Sequence, residues 1–425
     1  MSRLNARVLA ASASIAFASL FAPAASAELP SHLVVQRLGP SQSDIEPLPD
    51  FIIPPEFGTA VAIRNGLAFV GMPDRVFSGG GKIVHSAGAV AVYAQTGTLW
   101  TRTATLTAGN PVPGENFGRS VTFRDGVVVV GASTAAYVFK RSNGVWKQTQ
   151  KLTAPAPAQF DTFADSLRYE NGILAVGANA QLGHTNPGAV YVFEQDATGK
   201  FVRRAKLVSD NGANERFGVD ISMAGFGNVM VIGSPNESFD ATGAAYIFKR
   251  TSAGVWRRHQ KLVAAETLPR DAFGTAVAID NGMILVGAPG AHDDGNDFTL
   301  GGAAYGFIPG AGLWVESFQL RPRPGDVEIV HRFGQHIVMF GKHIGIAAED
   351  LDIPEGDVPT GTFVFTYTRE QLSVVPRGIA LHGTLHGAES MSVALANNWL
   401  LVGGPCQREG FCEGSAAVFD VLRFR

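Results

Sequence analysis

The residues best suited to chemistry in this chain form two acidic runs in its C-terminal half. His292, Asp293, Asp294 and Asp297 make one; Glu349, Asp350, Asp352, Glu355 and Asp357 make the other. Grouped carboxylates attract a divalent cation or a basic partner, so both runs are candidate ligand-binding residues; the bland alternative is a solvated polar rim. Asp293-Asp294-Gly295-Asn296-Asp297 offers oxygen donors without the spacing of an EF-hand loop, and no metal site is assigned to it. Cys406 and Cys412 are the only cysteines. No C-x-x-C spacing or matching His pattern accompanies them, which argues against zinc or redox work. In an exported chain they read as a disulfide closing a short loop. His331, His336 and His343 lie near one first strand, and His382 and His386 lie further on. Gly383 and Gly387 argue against a helix that would align the last two, so these read as surface or loop histidines. The chain has no G-x-S-x-G elbow, no H-E-x-x-H and no phosphate loop. No catalytic residue and no cofactor is assigned, and the chain is not read as an enzyme.

The elements that would position these residues come from a repeat. Phe-Gly, a Gly-containing turn, Val-Gly-Ala-Pro, Gly-Ala-x-Tyr-x-Phe, a Trp and a closing Lys-Leu recur along the chain. The clearest copy holds Phe273-Gly274, Asn281-Gly282, Val286-Gly287-Ala288-Pro289, Gly302-Ala303-Ala304-Tyr305 and Trp314. Copies begin at Phe57, Phe117, Phe163, Phe217, Phe273 and Phe333, with a degenerate seventh at Glu389-Ser390. The spacing from Phe to the Gly after the second strand is 14 residues in Phe57/Gly71, Phe117/Gly131, Phe163/Gly177 and Phe273/Gly287. Phe217/Gly233 has two more, and the sixth copy carries Ala347 in place of Gly. Self-similarity at a period of about 40 to 60 residues points to a propeller or another repeat array.

Each copy reads as four antiparallel strands. Asn65-Gly66, Asp125-Gly126, Asn171-Gly172 and Asn281-Gly282 are strong hairpin turns between the first and second. The second strand, as in Val127 to Val130, is apolar throughout and must be covered on both faces. The third is a Tyr-x-Phe strand such as Val190 to Phe193, and the fourth is marked by Trp100, Trp146, Trp256 or Trp314. These aromatics read as blade core ahead of sugar-stacking platforms. The seventh copy stops after its third strand. The missing strand stands at the other end, where Leu33 to Pro40 resembles Gln150 to Pro155. Pairing the two ends removes an exposed sheet edge. The expected fold is therefore all-β: a seven-bladed β-propeller of four-stranded antiparallel blades over residues 28–425, closed by the N-terminal strand completing the last blade.

Residues 1–27 read as a signal peptide. Arg3 and Arg7 precede an apolar run from Val8 to Ala22, and Ala25-Ser26-Ala27 fits cleavage before Glu28. The run is shorter than the roughly 20 apolar residues of a membrane span, so a secreted or periplasmic protein without a membrane span is expected. Gly contributes 50 residues, as many tight turns require, and 46% apolar residues suffice for a large core. Charged residues are 17% with a net charge of −3, which excludes a basic footprint for nucleic acid.

On Phe-Gly, Val-Gly-Ala-Pro, Gly-Ala-x-Tyr-x-Phe and Trp-x-x-x-Gln-Lys-Leu, the chain resembles the FG-GAP repeat family, which builds the propeller of integrin alpha subunits and many secreted bacterial proteins. The resemblance covers nearly all of residues 28–425. Integrin-type repeats often hold calcium in a D-x-D-x-D-G loop between the first two strands. Here that turn has two residues, too few for the 6 to 8 or so oxygen ligands of calcium, and the family's calcium sites are not carried over. Antiparallel order places the short turns on one side of the disc and the long connections on the other. Long loops on a rigid scaffold are where binding concentrates. The expected function is a non-catalytic scaffold that meets a protein or glycan partner through the long-loop face, as the resemblance to the integrin ligand face also implies. The alternatives are a propeller-type hydrolase or lyase acting on polysaccharide, and a structural envelope or matrix component.

Overall fold

The computed structural model describes residues 34–41, 44, 56–79, 82–154, 161–180, 187–209, 215–235, 242–291, 301–322, 331–349, 362–370, 373–382, 392–404 and 414–421. These form seven four-stranded antiparallel sheets and one small hairpin. The first blade runs outward from the axis as Val61–Arg64, Leu67–Met72, Ala89–Thr96 and Leu99–Leu106. The next five begin with inner strands Ser120–Arg124, Asp161–Glu170, Ile221–Ala224, Val277–Asp280 and His331–Phe340. The seventh has Ser392–Ala396, Trp399–Gly404 and Ser415–Asp420, and takes Val34–Leu38 as its outer strand. Each inner strand touches the inner strands of both neighbouring blades, and the seventh touches the first, so the ring is closed.

Local chemistry explains each strand reversal. Asn65 and Gly66 have φ of 50° and 71°, and Asp125, Asn171 and Asn281 repeat the pattern with their following glycines. Two successive left-handed residues make a type I′ turn, whose twist matches that of the flanking strands. The two extra residues of the fourth copy widen its turn, which runs from Gly225 to Asn228.

The Phe-Gly signature is a joint between blades. Phe117, Phe217 and Phe273 are fully buried and stand edge-on to Tyr137, Tyr246 and Tyr305 of their own blades, at 5.3, 5.5 and 5.5 Å. Burying each ring stabilises the fold by about 1.5–3 kcal/mol. The same Phe residues bridge to Gly88, Gly188 and Gly243 of the preceding blade. The Gly of Val-Gly completes the joint, because the next blade's backbone lies where its Cβ would be. A Cβ on Gly71 would overlap the Gly118 carbonyl, one on Gly287 the Gly334 carbonyl, and one on Gly403 the Gly58 carbonyl, which closes the circle.

The outer strands are joined by a side chain. Gln150 accepts from the Phe201 N–H at 2.9 Å and donates to the Phe201 carbonyl at 2.7 Å; Gln260 does the same with Trp314. Gln36 of the N-terminal strand makes this pair with Trp100, at 2.7 and 2.8 Å. The closing strand thus reproduces the inter-blade bond of an ordinary outer strand as well as its register.

Candidate functional site

The second-to-third connections leave one side of the disc, as expected. His292, Asp293, Asp294 and Asp297 lie outside the described residues, as do Asp350 and Asp352. So do Cys406 and Cys412. Their roots are described. The fifth blade's connection leaves at Ala291 and returns at Gly302, whose N–H donates to the Ala291 carbonyl at 3.0 Å. In the sixth blade Glu349 pairs with Thr362, and in the seventh Gly404 pairs with Ser415. All three connections therefore rise from closed necks on the same face, and the two acidic runs belong to adjacent blades.

The first blade's connection is described over residues 73–79 and 82–88, and its Asp74 joins Glu56 of the blade entry in an acidic pair that the sequence reading passed over. It folds into a hairpin of Phe77–Gly79 and Lys82–Val84. Asp74 at its root accepts from Asn116 Nδ2 at 2.8 Å, and Asn116 Oδ1 accepts from Ser133 at 3.1 Å. Glu56 stands beside it, just before Phe57, with φ of 49°. Burial raises the Glu56 carboxyl to about 7, with the charge of Asp74 adding to it. Burial also raises Asp74, against hydrogen bonds from Ser86 and Asn116. A carboxyl poised near neutrality can hold or release a proton at working pH. The available signal was Pro73-Asp74, which departs from the Pro-Gly of Pro289-Gly290.

A second set of acids was also missed. Glu115, Glu215 and Asp271 stand two residues before their Phe and are buried. Glu115 accepts from the Tyr137 hydroxyl at 3.0 Å, and Lys151 lies 5.0 Å from the same ring. Asp271 accepts from the Leu268 N–H at 2.8 Å. Glu115 pins the Tyr of its repeat and Asp271 the blade entry, so the role of these two is in the fold. Trp100 and Trp256 are buried in the blade core rather than presented as platforms.

The axial channel is polar. Each inner strand is an edge strand, and at several joints a side chain of the preceding blade bonds a backbone group of the next. Asp220 accepts from the Val277 N–H at 2.8 Å, Ser222 from Ile279 at 3.1 Å and Asp280 from Gly341 at 2.6 Å. Ser120 and Ser166 donate to the Ala164 and Gly218 carbonyls at 2.6 and 2.7 Å. His336, on the sixth inner strand, is pushed down to about 4 by burial and stays neutral. Its placement on an inner strand gives it a more enclosed setting than a surface loop. On the short-turn face Leu99, Val145, Val255 and Leu313, each just before a Trp or its neighbour in the outer hairpin, are exposed, and so is Phe226. An open cleft of about 350 Å³ lies there between the fourth and fifth blades, beside Ala224, Lys249, Pro309 and Trp314.

The FG-GAP repeat family matches the chain at residues 100–144, 146–193, 201–248 and 256–307. Each match starts at or near the outer strand of one blade and runs into the third strand of the next, so the sequence unit straddles the structural one. No curated protein matches the chain in sequence. Among solved structures it is similar to a putative 6-phosphogluconolactonase from Bacteroides uniformis, with 10% identity, a TM-score of 0.51, and coverage of 76% of this chain and 88% of that one. It is also similar to a protein from Lactobacillus plantarum, with 14% identity, a TM-score of 0.49, and coverage of 77% and 85%. At such identities the likeness to the first is one of fold.

Proposed function

We propose, from the premise that this chain is an FG-GAP-repeat β-propeller protein, that it is a secreted or periplasmic, non-catalytic scaffold binding a protein or glycan partner through its long-loop face. The observation that carries this reading is the one-sidedness of the disc. Tight two-residue turns dominate one face, while connections of variable length rise from closed necks on the other. A rigid ring with such loops can vary its recognition surface without disturbing its core. In this reading His292, Asp293, Asp294, Asp297, Asp350 and Asp352 contribute an acidic sector, and a Cys406–Cys412 disulfide restrains the seventh loop. The test replaces residues 292–300 with a short Gly-Ser linker and compares the variant with the parent on immobilised glycans and on extracts of cell-surface proteins. Loss of a parent interaction with an unchanged melting temperature is expected; retention of every interaction would remove the fifth loop from the binding face.

The Glu56–Asp74 pair favours a second reading, a propeller-type hydrolase or lyase acting on polysaccharide. A carboxyl raised to about 7 is the kind of group such chemistry uses for proton transfer. Turnover of a polysaccharide that disappears in Glu56→Gln would establish it. Absence of turnover across a broad polysaccharide panel leaves the scaffold reading in place.

A further inference from the structure

The rim of the disc separates charges that nearly balance over the whole chain. Three consecutive blades end in the outer strands Val145–Thr153, Phe201–Leu207 and Trp256–Leu262, which together carry eight Lys or Arg and no Asp or Glu. The third strands and hairpin turns of the same blades add five cations and only two acids, Glu194 and Asp196. The net charge of −3 conceals this basic belt. Contacts hold the three hairpins side by side. Lys140 Nζ donates to the Gly199 carbonyl at 2.8 Å, Gln150 clasps Phe201, and Arg250 grips Glu194 at 2.9 and 3.0 Å. Lys151, Lys206 and Lys261 stand 5.0, 5.6 and 5.5 Å from the rings of Tyr137, Tyr191 and Tyr246. Each ammonium is thus held by the Tyr of its own blade, and the three recur at one position from blade to blade.

Arg203, Arg204, Lys206, Arg257 and Lys261 are exposed. Among the described residues none of these forms an ion pair with a carboxylate, whereas Lys151 meets Glu115 at 3.8 Å. Glu194 is taken by Arg250, and Asp196 accepts from the Thr198 and Lys200 N–H groups of its own turn at 2.8 and 3.0 Å. A surface with this excess of one sign attracts a polyanion and gains from the release of its counterions. Shape and chemistry narrow the partner. Outer strands of consecutive blades in a closed ring form a convex arc. A flexible chain can follow such an arc, but a flat bilayer or a stiff duplex meets it at one blade only. Phe201 and Trp256 are buried, and Arg141 lies 5.9 Å over the Trp146 ring, so these strands offer no open aromatic platform for stacking bases. The planar fork of arginine suits carboxylates.

We propose that the basic belt across the second, third and fourth blades binds a linear acidic polysaccharide, whose uronate carboxylates meet Arg203, Arg204 and Arg257. The belt lies on the rim rather than in the long loops, so it stands or falls separately from the partner-binding reading. The test titrates the full chain with polygalacturonate at pH 7 by calorimetry, with neutral dextran and a single-stranded oligonucleotide as comparison chains. Polygalacturonate is expected to bind, with an affinity that falls steeply as sodium chloride rises, and dextran is not. Replacing all three residues, as Arg203→Gln, Arg204→Gln and Arg257→Gln together, should weaken binding about tenfold or more and flatten the salt dependence. The same three changed to Lys keep the charge and should keep most of the affinity. Lys82→Gln, an exposed charge in the small hairpin on the long-loop side, should bind as the parent does, and so should the variant lacking residues 292–300. The proposal is overturned if polygalacturonate does not bind, if dextran binds equally, or if the oligonucleotide binds more tightly. It is also overturned if the triple Gln variant retains parental affinity or if the loop variant loses it. Should the triple Gln variant melt below the parent, Arg204→Gln and Arg257→Gln decide singly, each expected to weaken binding about threefold.

Discussion

Asp44 fastens the segment after the closing strand to the first blade. Its carboxylate meets Arg75 Nε at 2.9 Å, takes both ends of the Arg102 guanidinium, and accepts from the Ser41 N–H and hydroxyl at 2.8 Å. Burial pushes its pKa up, but the hydrogen bonds from Arg102 and Ser41 outweigh this and hold it at about 2. A carboxyl depressed in the folded state stabilises the fold above its unfolded pKa, and this contribution is lost as pH falls from about 4 to 2. With its side chain almost wholly enclosed, the shift corresponds to roughly 2–3 kcal/mol at neutral pH. Asp44→Asn is expected to lose about that much in urea unfolding at pH 7 and almost nothing at pH 2. Glu56 acts with the opposite sign. Its pKa is raised to about 7, so the folded state binds the proton more tightly than the unfolded chain, whose carboxyl titrates near 4.5. The resulting stability is present below 4.5 and lost as pH rises through 7. Glu56→Gln should therefore melt above the parent at pH 8.5 and level with it at pH 4.5; a parent advantage at high pH would contradict the assignment of Glu56 as a destabilised carboxylate.

At the scale of the strand, the Val-Gly dipeptide explains the joint between blades, and it supplies a matched pair of variants. In Gly287→Ala the new methyl meets the Gly334 backbone of the next blade, which belongs to a packed strand and cannot yield as a side chain would. Overpacking of this kind costs about 1–3 kcal/mol, sometimes more. Ala347 occupies the corresponding place in the sixth blade and is buried without conflict. Ala347→Gly should lose only about 0.5–1 kcal/mol, the conformational cost of glycine in a strand. Chemical unfolding of both variants tests the joint, and equal losses would show that the Gly–carbonyl approach does not shape it. Much of this level was legible in the sequence, because turn type, strand burial and blade number all follow from residue identity at a fixed spacing. Asn-Gly turns require left-handed backbone wherever they occur, and a run such as Val127 to Val130 must be buried on both sides. The acids at Glu56, Asp74, Glu115 and Asp271 were not legible. Each depends on which distant carboxyl, hydroxyl or amide the ring brings alongside, as Asn116 is brought to Asp74 across 42 residues.

For the whole molecule, closure decides whether seven blades behave as one body. Adjacent blades are joined by aromatic, glycine and glutamine contacts, and the last joint depends on a strand from the opposite end of the chain. Val34–Leu38 covers the edge of Ser415–Asp420, and Gln36 ties that blade to the first through Trp100. A repeat array open at one point keeps nearest-neighbour stability but loses the constraint that couples its ends. It also exposes a strand edge that can pair with another chain. Removing residues 28–44 should therefore do more than subtract the contacts of one strand. Unfolding should broaden, the seventh blade should lose amide protection before the third and fourth, and the variant should associate in a concentration-dependent way. Gln36→Ala keeps the strand and removes only the double hydrogen bond, so it should lower stability by about 1–2 kcal/mol while the transition stays sharp and the protein keeps its parental association state. Hydrogen exchange together with sedimentation distinguishes the two variants. If the truncated chain unfolded as sharply as the parent and kept the same association state, the N-terminal strand would be an accessory to a ring already held shut by its inner strands.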